Sequence, residues 1–268
     1  MLSSKVAIVT GGGSGIGRAT SIRLAEEGAS VSVVDINEAT SHETCELIRR
    51  LGLSSLPITA DVSKDDSARS TVVSTVKNFG RVDILVNNVG VDFVGGILDT
   101  SEEDWDRAMN LNLKSMFLMS RRTIPEMKNA GAGSIINIAS VLGFQALPDM
   151  LAYCVSKAGV LNFTRALAAE CGQFKIRANC ICPGTTLTPP VQHELLMSRD
   201  RTKLERIYNS LHPLGRIRQP REIADVVLFL ASELSIGLTG SVIVVDGGIT
   251  AQFSEALLEQ LKRYEGLL

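Results

Sequence analysis

Paired cysteine spacing is missing from this sequence. The thiols number five, Cys45, Cys154, Cys171, Cys180 and Cys182, and include no CxxC pair. That argues against a secreted disulfide framework and points to reduced thiols in the cytoplasm. Charge of neither sign is in excess. With a formal net charge of −2, no basic footprint for nucleic acid is expected. No apolar run approaches the about 20 residues of a membrane-spanning helix, and "MLSSKVAIVTGGG" reaches its glycines too soon for a signal peptide. A Pro/Gly/Ser-rich linker, a charge block and an internal repeat are missing as well. HELLM, 193–197, ends in Met197 where the zinc motif H-E-x-x-H needs histidine. GGSGI, 12–16, ends in Ile16 where the nucleophile elbow G-x-S-x-G needs glycine. What remains is 268 residues, 45% hydrophobic and 21% charged, enough for a sizeable core. The expectation is a cytoplasmic chain with one domain over 1–248 and an extension over 249–268, using no nucleic acid, membrane or metal.

Short β-branched runs alternate with helical patterns along the chain. KVAIVT, SVSVVD, LPITA, VDILVNN, GSIINIAS, IRANCIC and SVIVVD read as seven strands. Their nearly continuous apolar character fits a parallel sheet covered on both faces. Amphipathic segments at 16–28, 38–51, 64–79, 102–128, 152–173 and 221–233 read as helices. Such alternation predicts an α/β fold with a doubly wound parallel sheet. The segment 184–218 is the long interruption, and a connection of that length is expected to act as a substrate lid. In the extension, Leu257, Leu258, Leu261 and Tyr264 recur at helical spacing, so a packed helix is expected there.

The first strand runs into TGGGSGIG, 10–17. Glycines there let the backbone turn tightly and approach a pyrophosphate resting on the positive N-terminus of the next helix. The spacing is T-G-x-x-x-G-x-G, not G-x-G-x-x-G, and a tight strand–helix turn without a ligand is the plain alternative. Asp35 ends the second strand 18 positions beyond Gly17, close to the spacing of an acid that bonds a ribose 2′-hydroxyl. A carboxylate there repels a 2′-phosphate and favours NAD over NADP; Ser14, in the middle of the turn, offers such a phosphate no cation. Capping of the helix at 38 is the other reading of Asp35.

LAYCVSK, 151–157, sets Tyr153 and Lys157 one helical turn apart on one face. A phenol, with a pKa of about 10, is a poor base at neutral pH, and a neighbouring cation favours its ionised form. Ser140 ends the preceding strand at the rim where open α/β sheets bind ligands. A surface Tyr–Lys contact and a strand-end serine are the plain alternatives.

With NNVG (87–90) and NLNLK (110–114), these residues resemble the short-chain dehydrogenase/reductase family over 5–248. The resemblance implies a single Rossmann-like domain binding NAD. It marks Thr10, Gly11, Ser14, Gly15, Ile16 and Gly17 as the cofactor turn, with Asp35 and Ile36 at the ribose and Asp61 and Val62 beside adenine. Asn87, Asn88 and Gly90 mark the central strand beside the cofactor, and Pro183, Gly184, Thr186 and Thr188 the segment over the carboxamide. Asn112, Ser140, Tyr153 and Lys157 match the family's catalytic tetrad, and VDGG, 245–248, its last-strand signature. Val89 stands where alanine is usual and Ser115 where glycine is frequent.

In the implied mechanism Tyr153 takes the proton of an alcohol whose hydride passes to the nicotinamide. Lys157 lowers the phenol pKa and bonds the ribose, Ser140 holds the substrate oxygen, and Asn112 holds a water in a proton relay. The substrate class is a secondary alcohol or ketone, such as a polyol, sugar or hydroxy acid. The competing readings are a 3-oxoacyl-thioester reductase, which Asp35 and Ser14 oppose, and a nicotinamide-binding protein without catalysis, which the complete tetrad opposes. The resemblance also implies a homo-oligomer, tetramer or dimer, built on the helices around 102–128 and 152–173. Pocket walls are expected at 91–94, 141–147 and the lid. The lid's Arg199, Arg201, Lys203, Arg206, Arg216 and Arg218 read as a solvated face or as an attraction for anionic substrates. His193, His212 and Cys154 read as bystanders.

Overall fold

Each β-branched run becomes a strand in the computed structural model, which describes residues 1–252. The strands are β1 (Val6–Thr10), β2 (Ser30–Asp35), β3 (Ser55–Thr59), β4 (Ile84–Asn87), β5 (Gly133–Ile138), β6 (Ile176–Pro183) and β7 (Val242–Val245). They pair in parallel throughout, in the order β3-β2-β1-β4-β5-β6-β7. The order reverses direction between β1 and β4, and the carboxyl ends flanking that switch point form the crevice in which such sheets bind ligands. Between the strands run α1 (Gly15–Glu26), α2 (Glu38–Arg50), α3 (Asp65–Phe79), α4 (Glu102–Met109), α5 (Ser115–Ala130), α6 (Leu151–Cys171) and α9 (Pro220–Ala231).

Alternation along the strands divides the core in two. Ala7 and Val9 face one way with Val31, Val33 and Ile136, against Leu24 of α1, Ile48 of α2 and Val227 of α9. Ile8 faces the other way with Val34, Leu85 and Ile135, against Val72 of α3, Met119 of α5 and Leu167 of α6. Both faces are therefore dry, which is why the strands read as unbroken apolar runs. Local signals fix the helix ends: Asn37 and Ser101 accept the backbone N–H of Thr40 and Asp104 as N-caps, and Gly80 and Gly131 close α3 and α5 in the left-handed conformation.

One expectation needs correction. The helix expected over 102–128 is two helices joined by a wide turn, Asn110–Lys114, of π-helical geometry. A π-turn inserts one residue without breaking the axis, so hydrophobic periodicity alone does not reveal it. The segment 184–218, to which the sequence assigned no elements, folds into α7 (Pro189–Met197) and α8 (Arg201–Ser210). Its two ends are clasped together, the Leu187 N–H donating to the Arg218 carbonyl at 2.8 Å and the Arg218 N–H to the Thr185 carbonyl at 3.1 Å. The apolar stripe Leu257, Leu258, Leu261 and Tyr264 lies outside the described residues. No helix among the described residues is long and apolar enough to cross a membrane.

Candidate active site

The chain leaves β1 through a turn whose glycines sit where side chains do not fit. Gly11 and Gly15 have φ of 62° and 51°, left-handed values that glycine adopts freely, and a Cβ on Gly17 would overlap the Gly11 carbonyl oxygen. Thr10 Oγ1 accepts the Asn88 N–H at 3.0 Å and donates to the Val86 carbonyl at 3.3 Å, while Asn88 Nδ2 donates to the carbonyls of Thr10 and Gly11. Thr10 and Asn88 thus fasten the turn to β4 with their own side chains. Ser14 is exposed at the N-terminus of α1, and Ile16 packs against the core. Thr188 and Pro189 come within 3.3 and 3.4 Å of where a Gly15 Cβ would stand, so the start of α7 closes over the turn.

Asp35 ends β2 with both carboxylate oxygens directed at the neighbouring backbone: Oδ2 accepts the Gly13 N–H at 2.9 Å and Oδ1 the Asn37 N–H at 3.0 Å. The cap of α2 is Asn37, not Asp35. Arg18 turns away from the cleft, donating to the Gly13 carbonyl at 2.9 Å and to Glu43 at 2.5 Å. Ile36, 70% exposed, borders a cleft of about 800 Å³ with Asp61, Lys64, Glu102, Asp106 and Asn110. Val62 does not share that lining. Its side chain is buried in the core beside Val34 and Val72, so of the expected adenine pair only Asp61 faces the cleft.

Beneath the next wall lies a buried polar layer. Asn87 Nδ2 donates to Asn137 Oδ1 at 2.8 Å and to Ser120 Oγ at 3.2 Å, and Asn137 Nδ2 donates to Thr164 Oγ1 at 2.9 Å. These bonds tie β4 and β5 to α5 and α6, although Asn87 Oδ1 is left without a hydrogen-bond partner among the described residues. The π-turn carries Asn112 into the interior, fully buried. Its Oδ1 accepts the Val91 N–H at 2.8 Å, and its Nδ2 donates to the Val91 carbonyl and to Ser156 Oγ, each at 3.0 Å. Both amide hydrogens are thereby engaged by protein, so Asn112 positions the chain after β4; as a holder of water it has only a lone pair of Oδ1 to offer.

Tyr153 and Lys157 stand on one face of α6, with Lys157 Nζ 5.6 Å from the centre of the phenol ring. The ammonium is buried and donates to the Ile138 carbonyl at 3.1 Å. Gly90 makes room for it, since a Cβ there would lie 2.9 Å from Nζ. Ser140 accepts the Leu142 N–H at 3.1 Å as cap of the short turn after β5, and its hydroxyl lies close enough to the Tyr153 phenol to favour the ionised form. The electrostatics differ from the sequence expectation that Lys157 lowers the phenol pKa. Burial pushes the Tyr153 phenol up, the charge of Asp92 adds to that, and the nearby Ser140 hydroxyl opposes it. Burial also pulls the Lys157 ammonium down to about 8. Desolvation penalises either charge more than the helical spacing alone suggests.

Among the remaining expected residues, Pro183 is buried at the end of β6, and Gly184 has no space for a Cβ, which would meet Asp246 at 2.8 Å. Thr186 is buried, bonding the Gly184 carbonyl at 3.0 Å, and Thr188 precedes α7. The structure brings Gly90, Asn112, Ser140, Tyr153 and Lys157 to one rim. The cations of 184–218 do not join them: Arg216 and Arg218 both pair with Glu222, while Arg199, Arg201, Lys203 and Arg206 lie on an exposed face. Cys154 is half-buried, His193 is exposed, and His212 is buried with Nδ1 2.8 Å from the Tyr208 carbonyl. Asp92 escaped the sequence reading, although it falls inside the wall expected at 91–94; its charge was the available signal.

Comparison with known proteins agrees with this geometry. Residues 11–250 match the family model described as enoyl-(acyl carrier protein) reductase. The 3-oxoacyl-(acyl-carrier-protein) reductase of Thermotoga maritima is 38% identical over 92% of this chain and 98% of its own. Cyclopentanol dehydrogenase of Comamonas is also 38% identical, over 93% of this chain and 98% of its own. The crystal structure of a short-chain dehydrogenase/reductase from Burkholderia xenovorans superposes with a TM-score of 0.90 at 38% identity, covering 94% of this chain and 98% of that one. A glycine turn, a buried lysine beside a phenol, and these matches over nearly the whole length agree: the chain is an oxidoreductase that belongs to the short-chain dehydrogenase/reductase family.

Proposed function

We propose that the protein is an NAD-dependent dehydrogenase of a secondary alcohol, with Tyr153 as its general acid and base. The observation that carries this reading is the meeting of Tyr153, Ser140 and the buried Lys157 at the carboxyl rim of the sheet, beside the turn after β1. A dinucleotide fits the residues present: the turn disfavours side chains at Gly11, Gly15 and Gly17, and a Cβ at residue 90 would crowd Lys157 Nζ at 2.9 Å. When bound, the nicotinamide supplies the hydride acceptor or donor and, oxidised, a positive ring charge.

The chain's own groups do the rest. Gly11–Gly17 and the N-terminus of α1 receive the pyrophosphate, and Asp35, held by two backbone N–H groups, receives ribose hydroxyls. Asp61, Glu102, Glu103 and Asp106 line the same end of the cleft, a field that disfavours a 2′-phosphate and supports NAD over NADP. Ser140 holds the substrate oxygen in line with the phenol. Because burial keeps the phenol protonated, Tyr153 is poised to donate its proton to a carbonyl oxygen, and in oxidation it takes the alcohol proton more readily as pH rises. Lys157, when charged, stabilises negative charge that develops on the phenol oxygen.

Tyr153→Phe removes this proton path. Its expected outcome is a fall in kcat of at least about a hundredfold with NADH binding retained, read by nicotinamide absorbance and fluorescence; turnover near wild type rejects the assignment. The second reading, a 3-oxoacyl-thioester reductase, is favoured by the Thermotoga relative and uses the same residues. NADPH-dependent reduction of an acetoacetyl thioester outrunning every NAD-dependent oxidation would select it. For assembly, exposed Phe117 on α5 and Val155 on α6 leave apolar surface on the helices that the resemblance places between subunits, which supports a homo-oligomer.

A further inference from the structure

Asp92 lies in a segment held across the mouth of the cleft by two anchors. At its start, Val91 exchanges hydrogen bonds with the Asn112 amide. At its end, the Gly95 N–H donates to the Asp149 carbonyl at 2.7 Å, and the Gly95 carbonyl accepts the Leu151 N–H at 3.3 Å. The segment is thus fixed between the buried asparagine and the first residue of α6, the helix that carries Tyr153 and Lys157. Asp92 is exposed and lines a cavity of about 240 Å³ with Phe93, Thr100 and Asp104. Among the described residues none forms a hydrogen bond or ion pair with its carboxylate, although its charge acts on both Tyr153 and Lys157. Exposed, without a partner among the described residues and two residues beyond the Gly90 that adjoins Lys157 Nζ, this carboxylate keeps its lone pairs available to a donor on a bound substrate.

We propose that Asp92 selects the substrate by accepting a hydrogen bond from a hydroxyl next to the reacting carbinol, so that the enzyme takes neutral polyhydroxylated alcohols and rejects those bearing a carboxylate there. This inference rests on the redox reading above and names its substrate class. A hydroxyl gives the carboxylate the donor it lacks, whereas a second carboxylate meets like charge. The cations of 184–218 do not offset that repulsion, since Arg216 and Arg218 are engaged by Glu222. Arg107 shares the cavity wall with its guanidinium 5.8 Å from the centre of the Phe93 ring, so a carboxylate preference in the experiment would point to Arg107 and overturn the assignment.

The test compares wild type with Asp92→Asn and Asp92→Ala on sec-butanol, vicinal butanediol and β-hydroxybutyrate, with NAD and with NADP. Wild type is expected to favour the diol over both others by at least about tenfold in kcat/KM. Asp92→Ala should erase the advantage over sec-butanol, and Asp92→Asn should narrow the gap to the hydroxy acid by about tenfold. Equal ratios in the three proteins overturn the proposal. If no alcohol turns over with either cofactor, the redox reading is what fails, and Asp92 is then tested by binding. Tighter binding of β-hydroxybutyrate by NADH-loaded Asp92→Asn, read by nicotinamide fluorescence, supports the assignment, and equal binding overturns it.

Discussion

Taking the Lys157 ammonium out of water pulls its pKa from the ordinary 10.5 to about 8. The sequence shows that Tyr153 and Lys157 share a helix face, but not that Ile138, Gly90 and the β4–β5 layer enclose the amine; that comes from long-range packing. The shift has a consequence for stability. Below about 8 both the folded and the unfolded chain carry this proton; between about 8 and 10.5 the unfolded chain binds more, so stability rises with pH across that window. Each pH unit within it corresponds to about 1.4 kcal/mol. Wild type is therefore expected to gain stability relative to Lys157→Met between pH 8 and 10.5, read as the difference in urea midpoints. A difference that stays flat over that range contradicts the buried charge. The carbonyl of Ile138 loses its donor in the variant at every pH, so it offsets the curve without changing its slope.

At the scale of elements, the strands and most helices were legible because periodicity, caps and glycine stops act locally, as at Asn37, Ser101, Gly80 and Gly131. The π-turn was not, because one inserted residue leaves the apolar pattern of 102–128 almost unchanged. Its effect is nevertheless central: it turns Asn112 inward to clamp Val91 and Ser156, and so fixes the wall that carries Asp92. Asn112→Ala removes three hydrogen bonds and leaves polar groups without partners. Its expected cost is about 1–3 kcal/mol of stability, read by denaturant unfolding, together with a fall in kcat/KM from the loosened wall. Lost turnover with unchanged stability would instead point to a direct role for the amide in proton transfer. The segment 184–218 stood out by its length alone, whereas the clasp between Leu187 and Arg218 depends on pairing across more than 30 residues.

At the scale of the molecule, the balance of charge conceals a strongly uneven field. A net charge of −2 gave no hint that Asp61, Glu102, Glu103 and Asp106, from two distant stretches, line one cleft with Ile36. Asp35 was readable from its place at the end of the second strand; that Arg18 faces Glu43 instead of the cleft was not. A 2′-phosphate entering here brings its negative charge against several carboxylates, with Lys64 and Arg107 as the cations of the lining. The proposed preference for NAD would therefore be distributed over these carboxylates, and removing one should erode it without reversing it. Asp35→Ala is expected to narrow the ratio of kcat/KM for NAD over NADP by about tenfold. Asp35→Ser combined with Ile36→Arg, which adds a guanidinium at an exposed position beside the ribose site, should narrow it further. Higher salt should weaken the remaining discrimination, because part of it acts across solvent. Steady-state kinetics with both cofactors at two ionic strengths measures each step; selectivity unmoved by Asp35→Ala removes Asp35 from cofactor choice and leaves the field of the cleft to account for it.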